Sequence, residues 1–183
     1  LPAMIHSLGG PTWLVAFSPI VFQVGFYGPQ IFTAFLIERL NRFHPFLMLT
    51  GIPQRLSYCL AGLVLLLWGS SHPHIALLAV ALAPCIASVS GGISSVGWRE
   101  FLAKTIPGER RASLWAFRAI VAAVIGLFAG RVVDVVLQAW PGPFGYGVLH
   151  LCTFACLALS YAIFAMIRET PLPPKRAAHE RVG

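Results

Sequence analysis

Acidic residues are scarce in this chain: six Asp and Glu among 183 residues, and none before Glu38. Charged residues of both signs amount to 10% against 57% apolar, with a mean hydropathy of +0.78. That shortage of charge excludes an ordinary soluble domain. The net charge of +7 reflects missing acids and not a basic face. Long apolar segments separate the Lys and Arg residues, so a nucleic-acid interface is excluded as well. Cysteine is equally uninformative as a framework, because Cys59, Cys85, Cys152 and Cys156 all fall within apolar runs and read as packing residues. His150, Cys152 and Cys156 match no zinc spacing and have no carboxylate nearby, so neither a metal nor any other cofactor is expected. Leu1 to Gly10 lacks the basic n-region of a signal peptide and is read as the end of something longer.

What the chain does have is length in its apolar runs. Trp13 to Ile37 and Phe46 to Gly69 each suffice to cross a hydrocarbon core of about 30 Å as a helix, and the charged stretch Glu38 to His44 lies between them. Three further runs, about 75–97, 113–137 and 146–167, complete five predicted spans, and 168–183 reads as an unstructured basic tail or linker. The expected fold is therefore an all-α polytopic transmembrane bundle occupying 1–167, with the lipid bilayer as its first partner.

The connections alternate in charge. Arg39 and Arg42, then Arg99, Lys104, Arg110 and Arg111, then Arg168, Lys175, Arg176 and Arg181 occupy every second connection. The stretches before Trp13, around His72 and around Pro141 hold no Lys or Arg. The positive-inside rule places the basic connections in the cytoplasm, so the N-terminal end lies outside the plasma (inner) membrane and the tail inside. Trp98 to Arg111 is amphipathic in its first half and broken at Pro107-Gly108, and is expected to form a short interfacial helix and turn.

Polar residues inside the spans mark the candidate transport path. Gln23, Tyr27 and Gln30 recur at helical spacing and define one face of the first complete span, expected to turn inward, either for hydrogen bonding between helices or as the lining of such a path. In the second span Gln54 precedes Arg55, about 14 Å beyond its inner end and so near the bilayer middle. An arginine there is costly unless paired or hydrated, and its expected partners are the amides of the Gln23 and Gln30 face. Other intramembrane charges are Arg118, close enough to the inner end to snorkel, and Arg131 with Asp134, three apart and able to pair. The third span has no ionisable side chain, and its Ser- and Gly-rich half, 88–97, reads as a packing seam.

An intramembrane protease is the least favoured reading. Ser94 and His150 resemble the serine and histidine of rhomboid proteases in outline, but their places in the spans put them a half-bilayer or more apart, beyond the reach of a nucleophile and its base. No enzymatic activity is expected.

The segment from Ala34 through Glu38, Arg39, Asn41 and Arg42 to Phe43 resembles the loop between helices 2 and 3 of the major facilitator superfamily. Glu38, Arg39 and Arg42 match its acid, base and arginine, while Ala34, Asn41 and Phe43 depart from it. Pro107, Glu109, Arg110 and Arg111, followed by Ala112, are similar to the signature before helix 5. The resemblance implies helices 2 to 6 of the N-terminal half of a secondary active transporter, which moves a small-molecule substrate by alternating access. It also implies that helix 1 and the C-terminal half of the same transporter are missing partners, and that Glu38 helps to latch the cytoplasmic side. The third span lacks the arginine of many proton-coupled members, and Gly126 to Gly130 lacks the Gly-Pro pattern of many drug antiporters, so neither coupling is implied. The alternative from a different class is a small membrane subunit or assembly partner that transports nothing.

Overall fold

The computed structural model describes residues 2–169, and all regular structure within them is helical. The short α1, Pro2–Ser7, is followed by α2, Thr12–Ile37; α3, His44–Trp68; α4, Pro73–Thr105; α5, Gly108–Ala139; and α6, Pro143–Ala165. The five long helices are all of sufficient length and apolarity to cross a membrane. The chain is thus an all-α bundle suited to multiple membrane crossings.

Proline sets where these helices begin. It occupies the first turn of α3, α4 and α6 and directly precedes α2 and α5, positions where its missing N–H costs no helical bond. The turn out of α1 requires Gly9 in a left-handed conformation, φ 71°, with the Gly10 N–H returning to the Ile5 carbonyl. Inside the helices, Pro19 frees the Val15 carbonyl, and the Ser18 hydroxyl donates to it at 2.9 Å.

The long helices are arranged laterally as α2, α4, α3, α6 and α5, with α4 and α3 central. Small residues decide the close crossings. A Cβ at Gly92 would collide with the Phe26 carbonyl oxygen, and one at Gly25 with the Ser88 hydroxyl, so α2 and α4 nearly touch backbone to backbone. Gly62 and Gly147 play the same part between α3 and α6, where a Cβ on Gly147 would lie 3.1 Å from the Gly62 carbonyl oxygen. The expected seam at 88–97 is therefore where α2 and α4 meet.

Two apolar clusters close the ends. Met4, Ile5 and Leu8 plug one end against Leu65, Ala76 and Val80. At the other, basic end, Ile37, Phe43, Leu47 and Phe101 pack together with Trp98 and Phe164. By contrast α5 buries no residue, and its main packing is against α6.

One element differs from expectation. Residues 98–105 are not a separate interfacial helix but continue α4, whose 33 residues span about 50 Å, well beyond a hydrocarbon core. The chain has no helix breaker between Gly97 and Pro107, so the helix simply runs on to Thr105. The expected tail beyond Glu169, with Lys175, Arg176 and Arg181, lies outside the described residues.

Candidate functional site

A polar cavity of about 430 Å³ opens among the five long helices toward the basic end of the bundle, with Phe26 as the contribution of α2. Arg55, Gln54, Ser94, Ser95 and Arg118 supply its polar lining, and Phe26, Trp98, Tyr161 and Phe164 its aromatic walls. The other large concavities have almost wholly apolar linings, as befits grooves between helices in lipid.

Arg55 is held by its own helix and by α6. Nη1 donates to the Gly51 carbonyl at 2.7 Å and Nε to the Leu157 carbonyl at 3.4 Å, while the guanidinium lies 4.1 Å from the centre of the Tyr161 ring. Tyr161 is fixed in turn by its hydroxyl, which donates to the Met48 carbonyl. Gly51 makes the arrangement possible, since a Cβ there would sit 2.7 Å from Nη1 and 3.2 Å from the Tyr161 ring. Eleven residues into α3, Arg55 lies about 16 Å from the helix start. Its place along the helix agrees with the count from sequence.

Its partners do not. Gln23 and Tyr27 face outward on α2, and Gln30 is half-buried with its amide donating to the Phe26 carbonyl of its own helix. The face of α2 that meets α4 is the small-residue one, Gly25 with buried Thr33 and Ile37. Of the five candidate path residues only Gln54 and Arg55 line the cavity. Arg118 joins them there, 5.2 Å above the Trp115 ring one turn nearer the basic end. Arg131 and Asp134 pair at 3.7 Å on the exposed side of α5.

The loop residues divide. Glu38, Arg39, Arg42, Pro107, Glu109 and Arg110 are exposed at the basic end. Arg111 turns back to cap α4, donating to the Ile106 and Ala103 carbonyls at 3.0 and 2.6 Å, where the negative end of the helix dipole favours a cation. Ser94 and His150 serve separate structures. Ser94 shares a 2.8 Å hydrogen bond with Thr50, and His150 bonds the Tyr146 carbonyl at 2.8 Å.

Sequence reasoning missed a clasp at the basic end. Glu169, just past α6, accepts the backbone N–H groups of Phe43 and His44 at 2.8 and 2.7 Å and pairs with Lys104 at 2.8 Å. Its side chain is only 3% exposed. Burial pushes this carboxyl up, but the hydrogen bond from Lys104 and those from the start of α3 outweigh it, and Glu169 titrates below the ordinary carboxylate range. The His44 ring reaches the Phe164 carbonyl at 3.1 Å, tying the same two helix ends together. An acid directly after the last apolar run, beside Arg168, was the available signal.

No protein-family model, curated protein or solved structure matches the chain.

Proposed function

We propose that these helices belong to a secondary active transporter of the major facilitator kind, which moves a small solute across the plasma membrane with the basic end of the bundle in the cytoplasm. The observation that carries this reading is Arg55, held about 16 Å inside a membrane-length helix at the wall of a polar cavity. An arginine at that depth costs at least about 2.5 kcal/mol. A purely structural bundle gains nothing from placing it beside an open cavity, whereas a solute path requires such a group. The exposed Glu38, Arg39 and Arg42 are free to meet a second half at the cytoplasmic side, as the family resemblance implies.

A second reading, a non-transporting subunit, draws on α5. Its Arg131 and Asp134 side chains are 75% and 62% exposed on a helix of membrane length, a placement that calls for protein cover. A second transporter half and an assembly partner both supply such cover. The two readings separate on accessibility. With Ser95→Cys in an otherwise cysteine-free protein in cells, alternating access exposes the cavity to a membrane-impermeant thiol reagent from either side of the membrane in turn. Labelling from both sides is expected. Labelling from one side alone under all conditions rejects transport and leaves the subunit.

A further inference from the structure

Resting on that transport reading, we infer that the cavity takes a small organic anion, a carboxylate or phosphate carried on an apolar body. The lining contains two guanidinium groups, Arg55 and Arg118, and no carboxylate. The described acids are all committed or placed elsewhere. Asp134 pairs with Arg131, Glu169 pairs with Lys104, and Glu38, Glu100 and Glu109 are exposed around the basic end. Two cations facing one cavity within membrane-length helices therefore have no protein counter-charge in its lining.

The geometry of Arg55 sharpens the point. Its backbone acceptors take one N–H from Nη1 and the N–H of Nε, and among the described residues none accepts from Nη2. The Tyr161 ring and Gly51 hold the guanidinium plane in place, so the unused donors form a fixed fork rather than a mobile charge. Such a fork matches the paired oxygens of a carboxylate or phosphate. Arg118 brings a second positive charge to the same cavity, so the site favours an anion over a neutral hydrogen-bonding solute. Phe26, Trp98 and Phe164 then offer an apolar wall for the rest of the molecule, in a volume suited to a ligand of modest size. A cationic solute would meet two like charges and no acid.

An anionic lipid headgroup offers the same oxyanion to the same fork, and the test separates the two sources. The protein carrying Ser95→Cys in a cysteine-free background is placed in phosphatidylcholine nanodiscs, and the rate of thiol labelling is followed. Benzoate and phenyl phosphate are the anionic probes, with benzyl alcohol and benzylamine as neutral and cationic counterparts. One or both anions are expected to slow labelling saturably, and the counterparts to leave it unchanged. Replacing Arg55 with Gln should raise the concentration needed for protection by about tenfold or more, the scale of one lost charge-assisted interaction. Arg118→Gln, at an exposed position, provides the second variant and should weaken protection in the same direction, with monodisperse elution checking both proteins.

Equal protection by benzyl alcohol or benzylamine overturns the inference, as does protection by the anions that neither arginine variant weakens. Protection seen only when phosphatidylglycerol is added to the nanodisc overturns it as a solute site. Failure here is distinct from failure of the transport reading. Two-sided access to position 95 without anion protection rejects the anion alone, whereas anion protection with one-sided access rejects transport and leaves an anion site.

Discussion

Replacing Glu169 with Ala removes the acceptor that joins three elements at the basic end. The carboxylate takes the first backbone N–H groups of α3 and the Lys104 ammonium, all at 2.7 to 2.8 Å for the shortest bond to each. A hydrogen bond to a charged group contributes about 1.5–3 kcal/mol. The three do not add fully, because water reaches the vacated N–H groups once the side chain is gone and Lys104 already retains some contact with solvent, at 14% exposed. A loss of about 2–4 kcal/mol is expected, and Glu169→Gln, which keeps one neutral acceptor, should lose about half of that. Unfolding in mixed detergent micelles at pH 7 measures it, with hydrogen exchange at Phe43 and His44 reporting on the clasp directly.

The pH dependence supplies an independent check. The folded carboxyl titrates below its ordinary value, so its stabilisation is fully present above the unfolded carboxylate value of about 4.3 and is lost as pH falls through the lower folded value. Wild type and Glu169→Ala should therefore differ at pH 7 and converge in acid. A double-mutant cycle with Lys104→Met should show coupling of about 1 kcal/mol or more. Stability of Glu169→Ala within about 0.5 kcal/mol of wild type at pH 7, or a gap that persists at a pH below the folded value, refutes the clasp as a stabilising contact.

Two other expectations follow from packing and charge. Gly92→Ala should cost about 1–3 kcal/mol by forcing α4 away from the Phe26 carbonyl, while Gly126→Ala and Gly130→Ala on α5, with nothing within 4 Å of the added methyl, should be neutral or slightly stabilising in the same unfolding assay. Single cysteines at His72 and Pro141 should label from outside and those at Asn41 and Gly108 from the cytoplasm; labelling at position 72 only from the cytoplasmic side rejects the orientation.

The spans themselves were legible because each is a long apolar run closed by proline or charge, and the observed helix bounds lie within about three residues of the expected ones except at the start of α5, five residues earlier, and at the end of α4. There the expected end at Gly97 marked the membrane boundary, and a helix has no physical reason to stop where the lipid does. Trp98 to Thr105 contains no breaker, so backbone hydrogen bonding carries α4 onward to Ile106. Hydropathy locates the bilayer, and only caps and prolines locate helix ends.

The candidate site was legible in depth but not in rotation. The place of Arg55 eleven residues into α3 follows from counting along one helix, and the Arg131–Asp134 pair follows from the spacing of one helix turn. Contacts between helices obey a different rule. Lipid tails are as apolar as leucine, so no hydrophobic force turns the Gln23 and Tyr27 face of α2 inward, and close approach at Gly25, Ser88 and Gly92 sets the rotation instead. That rotation moves the amides away from Arg55 and leaves α6 to supply Tyr161 and the Leu157 carbonyl. The Glu169 clasp was hidden for the same reason, since His44, Lys104 and Glu169 come from three separate parts of the chain and no local period links them. What remains readable along one helix is thus the cost of a charge, while the group that offsets it depends on which small residues let the next helix come near.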